Sequence, residues 1–212
     1  MIRFIQVTKT PYLENISFNI KRNEIVIIHN SNHTSLRLLL DLIRGKKEPD
    51  SGIIRLLNNY QSGEKILAHE IGIVFKESLL LDNRNLIDNF KFIIDIMGLN
   101  RIYFNARIKK ILKLVNLQTC KNLTPDRLSL HRQKRADIAC ALLAYPSILI
   151  LDNPFMGLDE INSRAIYHLL EEINCLGITI LILNSEQNFL VNKKRQKRII
   201  YLNKGEISNY NI

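Results

Sequence analysis

The sequence predicts an α/β domain: a mainly parallel core sheet with helices on both faces, a small antiparallel β-region near the start, and a helical subdomain inserted at about 77–135. Three observations point there. Strand-like and helix-like segments alternate along the chain, as parallel connections require. The run Ile148-Leu149-Ile150-Leu151 is apolar at every position, which marks a strand covered on both faces. Leu36, Leu39, Leu40 and Ile43 recur at helical spacing directly after an apolar run, the pattern of a strand feeding a helix. In order, strands are expected near 2–7, 15–20 and 24–29, a helix at 34–44, and strands near 52–57 and 71–75. Residues 86–116 read as mostly helical with a break at Gly98-Leu99-Asn100. A loop around Pro125 leads into a helix from about 130 to 144. Strand 148–151, helix 160–175, strand 178–183, helix 186–192 and strand 198–202 follow. Asn203-Lys204-Gly205 then turns into a last short strand.

The 212 residues suffice for one α/β domain with a sizeable core, and 46% hydrophobic with 24% charged residues is a globular composition. No apolar run approaches the roughly 20 residues of a membrane helix. The opening Met1-Ile2-Arg3-Phe4-Ile5-Gln6-Val7 reads as a strand rather than a signal peptide. Cys120, Cys140 and Cys175 are far apart and form no Cys-x-x-Cys pair, which argues against a zinc site and a disulfide framework. A net charge of +10 favours an anionic partner, lipid surface or nucleic acid. Only 8 glycines are present, few for a protein that cradles phosphate on bare backbone.

The most informative stretch is Ile148–Leu151 followed by Asp152-Asn153-Pro154-Phe155-Met156-Gly157-Leu158-Asp159: a buried strand ending at an acid, a turn, then a second acid. It resembles the Walker B and D-loop run of the ABC-type ATPases, in which the strand-end Asp holds Mg²⁺ through water. Four further landmarks align in family order: Asn30–Arg37 at the phosphate loop, Lys76 at the Q-loop, Leu128–Arg135 at the signature and Leu183–Glu186 at the switch. The resemblance covers essentially residues 1–212. Met1-Ile2-Arg3-Phe4 and the stretch from Phe75 to Asn89 are most similar to the FtsE cell-division branch, with the lipoprotein-release branch next. It implies a P-loop NTPase-like ABC fold, ATP and Mg²⁺ as cofactors, and an FtsX-like membrane permease as partner. It also implies a homodimer or another ABC-domain dimer, and a cytoplasmic position, peripheral on the inner membrane through the partner.

The chemistry of that family is eroded here. The phosphate loop G-x-x-x-x-G-K-[ST] works because glycines let backbone N–H groups close on phosphate while Lys neutralises it. In this chain Asn30 and Ser35 stand at the outer glycine positions, with His33 between them, Leu36 at the Lys and Arg37 at the Mg²⁺-binding hydroxyl. The stretch also reads as an ordinary capped turn feeding an apolar helix, or as an adapted loop in which Arg37 or His33 supplies charge. In the signature, Ser129, Gln133 and Arg135 survive, but Leu130 and His131 replace both glycines. The other reading there is a capped helix start with a solvated basic face. Asn153 stands at the general base and cannot take a proton from water. Ser185 stands at the switch His and Lys76 at the Q-loop Gln. Asp152 alone keeps its chemistry, as the metal residue if Mg²⁺ binds. A strand-end Asp also caps turns, and Asp159 of the D-loop and Pro154 could likewise hold turn geometry.

Two partner surfaces stand out. Leu79, Leu80 and Leu81, flanked by charges, suit an apolar anchor for a permease helix in the family's docking groove; they could equally pack the subdomain. Lys193, Lys194, Arg195, Lys197 and Arg198 form a basic run, readable as a solvated turn or as a contact for anionic lipid. The expectation is therefore an FtsE-like ABC subunit acting as a scaffold with impaired or lost hydrolysis. An active ABC ATPase with a remodelled loop, and a basic nucleic-acid or membrane-surface module, are the alternatives.

Overall fold

The computed structural model describes residues 1–57, 60–61, 70–99, 102, 104–185 and 198–208. Two sheets organise them. An antiparallel sheet takes β1 (Ile2–Lys9), β2 (Leu13–Ile20), β4 (Ser51–Leu56) and the two-residue β5 (Tyr60–Gln61) in the order β2-β1-β4-β5. The core sheet runs β10-β9-β3-β8-β7-β6, from β3 (Ile25–His29), β6 (Ile71–Val74), β7 (Ile148–Asp152), β8 (Thr179–Asn184), β9 (Arg198–Asn203) and β10 (Glu206–Ser208). Its pairings are parallel except at the β9–β10 hairpin.

The apolar strands explain the layering. Ile25, Ile27, Leu149, Leu151, Ile180 and Ile182 enter one core, while Val26, Ile28, Ile148, Ile150, Leu181 and Leu183 enter the other. Successive side chains point to opposite faces, so a strand apolar at every position must be buried on both. The first core is closed by α2 (Leu86–Ile96), α3 (Phe104–Leu114), α4 (Leu130–Leu142) and α5 (Glu160–Cys175). The second is closed by the antiparallel sheet and α1 (His33–Ile43), whose Leu36, Leu39, Leu40 and Ile43 all lie in it.

The expected elements are found within a few residues of their places, and β5 is an addition too short to leave a pattern. The helical stretch over 86–116 divides into α2 and α3, and Gly98 at φ +62° marks the break. The helix expected at 186–192 and the basic residues Lys193, Lys194, Arg195 and Lys197 lie outside the described residues. Helix starts follow capping rules: Asn32, Asn85 and Asp159 accept hydrogen bonds from Thr34, Asp88 and Asn162 amides. Gly72 in β6 is required by packing, since a Cβ there would stand 2.7 Å from the Ala141 carbonyl oxygen of α4.

Candidate functional site

Strand order brings the C-terminal ends of β3, β8 and β7 side by side, the place where open parallel sheets bind ligands. Asn30 follows β3, Asp152 and Asn153 end β7, and Asn184 and Ser185 end β8. All five are buried. The fold thus brings together the phosphate-loop, Walker B, general-base and switch positions.

Their polar groups satisfy one another. Asn153 Nδ2 donates to Asp152 Oδ1 at 2.9 Å, and Asn153 Oδ1 accepts from Ser185 N at 2.8 Å and Ser185 Oγ at 2.7 Å. The Arg37 guanidinium stands 3.9 Å from Asp152 Oδ2, an ion pair too long for a hydrogen bond, and 3.8 Å from Asp41. Arg37 is half-exposed, so screening by water weakens this attraction. As a Mg²⁺ site the corner fits poorly. One oxygen of its carboxylate is held by Asn153, the other faces a fixed positive charge, and no hydroxyl stands at position 37.

The loop before α1 is also self-satisfied. Asn30 Oδ1 accepts from the Asn32 amide at 2.8 Å, and Asn32 Oδ1 accepts from the Thr34 amide at 2.9 Å. Side-chain oxygens thus occupy amides that a phosphate-binding nest would leave open. His33 is exposed, Ser35 is buried, and Leu36, with no exposed surface, is a core residue. The capped-turn reading of this stretch describes its geometry.

Residues 128–135 need one correction. The helix start is not capped by Ser129, whose hydroxyl pairs with His131 Nδ1 at 3.1 Å, and the basic face is not uniformly solvated. Arg132 is exposed, but Lys134 is buried and donates to the Lys76 carbonyl at 2.5 Å. Burial pushes the Lys134 ammonium pKa down, against the favourable charges of Asp137, Asp152 and Glu77. Arg135 donates to the Val115 and Ala165 carbonyls, and Gln133 to Pro125 and Leu128. The surviving signature residues therefore tie α4 to its neighbours. Burial, then Arg135 and Arg132, lower the His131 pKa, which favours a neutral ring. Leu130 packs towards Gly157 of the D-loop, where an added Cβ would meet its Cδ2 at 3.1 Å.

A second concavity, about 210 Å³, lies between β6, α2 and α4. Leu79 and Leu80 line it with Ile73, Phe75, Ile93 and Met97; Leu81 is not in its lining. Leu79 is 69% exposed, whereas Leu80 packs on the first core. Buried Asn89 holds the approach to α2, bonding both the amide and the carbonyl of Leu81 at 2.7 and 3.1 Å. Asp137 also lines the groove. Ser78 Oγ donates to its Oδ1 at 2.7 Å, and burial raises its pKa to about 6 despite that bond and nearby Lys134. Lys134 and Asp137 were not among the residues singled out from sequence. The signal for Asp137 is an acid between Ala136 and Ile138 in an apolar stretch of α4; Lys134, between Gln133 and Arg135, carries no such signal. Arg198, at the end of the basic run, opens β9. It donates to the Asn19 carbonyl at 2.7 Å and lies 3.6 Å from Glu24, so its charge is engaged within the chain.

Comparisons with known proteins match this architecture. The cell division ATP-binding protein FtsE of Mycobacterium tuberculosis is 30% identical over 98% of this chain and 94% of its own length. The methionine import protein MetN of Carboxydothermus hydrogenoformans is 34% identical over 86% of this chain but 56% of its own length. Among solved structures, CbiO1 of Clostridium perfringens, part of an ABC transporter complex, superposes with TM-score 0.87 at 26% identity, covering 98% of this chain and 86% of that one. The dimeric ATP-binding cassette MJ0796, bound to ADP and phosphate, superposes at 0.80 with 26% identity, covering 99% and 97%. The family profile described as ABC transporter matches residues 13–156, and the chain belongs to that family of ATP-binding cassettes.

Proposed function

We propose that this chain is an FtsE-like subunit that has kept the docking role of an ABC cassette and lost ATP hydrolysis. It acts as a cytoplasmic scaffold on an FtsX-like membrane protein in cell division, and works as a cassette dimer. The observation that carries the loss is the closed corner Asp152–Asn153–Ser185 with Arg37 beside it. A general base is absent from it, and a guanidinium stands near the carboxylate expected to serve a divalent ion. Loss of a general base alone costs about 10²–10⁴ in rate, and loss of preorganised charge stabilisation roughly 10²–10³ more. Pairing with an intact cassette does not restore a site, because the phosphate loop degrades one composite site and the signature the other.

Similarity to FtsE of Mycobacterium tuberculosis, 30% identical over 98% of this chain, supports the FtsE-like reading. Among the described residues no helix is long and apolar enough to cross a membrane. The groove beside β6, with exposed Leu79 at its mouth, suits a partner helix laid on it. The test is steady-state phosphate release by purified protein with Mg²⁺–ATP, expected at the buffer blank. A rate near ~1 s⁻¹ that vanishes in Asp152→Ala overturns the reading.

A further inference from the structure

Between Asp95 and Asp126 the sequence holds Arg101, Arg107, Lys109, Lys110, Lys113 and Lys121 and no acid. Helix α3 lies within this stretch. It buries Ile108, Ile111 and Leu112 in the first core and exposes Lys109, Lys110 and Lys113. At 3.6 residues per turn the three lysines fall in one arc of about 100°, opposite the buried stripe. Among the described residues none of the three makes an ion pair or a side-chain hydrogen bond. Like charges three and four positions apart on a helix repel, and an anionic surface relieves that repulsion. Arg107 does not join them: it donates to the Leu143 carbonyl at 3.0 Å and stacks on Tyr145.

Apolar side chains accompany the charge. Ile102, two residues before α3, is 77% exposed, and Ile96, at the end of α2, is 68% exposed. Lysines beside exposed isoleucines suit a lipid surface, where apolar side chains enter the acyl boundary and ammonium groups reach the headgroups. Nucleic acid is disfavoured, because the exposed face of α3 offers no aromatic side chain for a base to stack on. We propose that the outward face of α3 rests on an anionic membrane, with Lys109, Lys110 and Lys113 against headgroup phosphates and Ile96 and Ile102 at the acyl boundary. The proposal rests on the membrane setting of the docking reading and adds a direct lipid contact to it. Ile96 adjoins Met97, which lines the groove beside β6, so the lipid contact borders the docked partner.

The probe is sedimentation of the purified whole chain with phosphatidylcholine vesicles, with and without an equal part of phosphatidylglycerol. Binding is expected only with phosphatidylglycerol, and about 1 M salt, which shortens the screening length to about 3 Å, releases it. Each lysine near an anionic surface strengthens binding roughly fivefold, so Lys109→Gln, Lys110→Gln and Lys113→Gln together weaken it about 100-fold at unchanged Tm. Lys109→Arg, Lys110→Arg and Lys113→Arg together keep it. Ile102→Ser weakens it roughly tenfold. Lys21→Gln, Lys46→Gln and Lys47→Gln remove the same charge from exposed positions elsewhere and change binding less than about twofold. Equal loss in the two glutamine variants assigns the effect to net charge and overturns the proposal. So do equal binding to both kinds of vesicle, binding to neither, and native-like binding by Ile102→Ser. Duplex DNA that binds more tightly than the vesicles, and loses that binding in the α3 glutamine variant, makes nucleic acid the occupant and likewise overturns it. The vesicles carry no protein, so each of these failures leaves groove docking standing, which co-purification with the FtsX-like protein tests separately.

Discussion

Asn153 sits at φ +48°, in the left-handed region where Asn is several-fold enriched, and its amide bridges the ends of β7 and β8. Asn153→Ala leaves the buried Ser185 amide and hydroxyl without their acceptor, so a loss of about 2–4 kcal/mol is expected in urea unfolding. Ser185→Ala removes only the hydroxyl bond and costs about 1 kcal/mol. Equal, negligible losses for both would contradict the closed-corner account. Asp137 makes a prediction in pH. Its folded pKa of about 6 lies above the ordinary carboxylate value of 3.8, so the native state holds the proton more tightly. The stability this contributes is complete below the lower value and lost as pH rises through the upper one, on the order of 3 kcal/mol. Asp137→Asn should therefore raise Tm near neutral pH, and the gain should shrink towards about pH 4.5. A gain independent of pH would assign the effect to packing. The replaced residues at positions 153 and 185 were visible in the sequence. Their bond was not, because 32 positions separate them and only the β7–β8 register joins them.

At the scale of elements, α1 follows the loop aligned with the family's phosphate loop and packs as a core helix. Leu36 has no exposed surface and shares its cluster with Leu39, Leu40 and Ile43. Installing the family's lysine and hydroxyl with Leu36→Lys and Arg37→Ser is expected to cost about 2–5 kcal/mol, the range for losing a core leucine, before the burial of an ammonium is counted. Calorimetry with Mg²⁺–ATP should stay flat, since Asn30 and Asn32 still occupy loop amides. ATP binding without loss of Tm would show that the first turn of α1 has room for a phosphate-facing lysine. The helical spacing of these leucines was plain from the sequence. The fate of the basic residues of α4 was not, because burial of Lys134 depends on the Lys76 carbonyl brought to it by the end of β6.

For the whole molecule, the two faces of the parallel sheet differ: one packs on α1 and the antiparallel sheet, the other on the helices that form the groove with β6. Exposure separates two neighbouring leucines. Leu79→Asp should abolish co-purification with the FtsX-like protein at unchanged Tm, since Leu79 is 69% exposed. Leu80→Asp should lose both partner and stability, by about 2–4 kcal/mol, because Leu80 packs on the first core. Undiminished co-purification of a folded Leu79→Asp protein would remove this groove as the docking face.

Periodicity and the order of motifs determined the α/β layering, the places of α1 and α5 to within a residue, and the family, because these depend on local spacing that the chain carries in full. The replaced motif residues were equally legible, since a glycine, lysine or glutamate is either at its position or not. Tertiary structure alone decided what the replacements do. Asn153 meets Ser185, Arg37 meets Asp152, and Asp137 lies buried in a groove through strand order and helix docking. Such contacts join residues distant in sequence, and no local pattern encodes them.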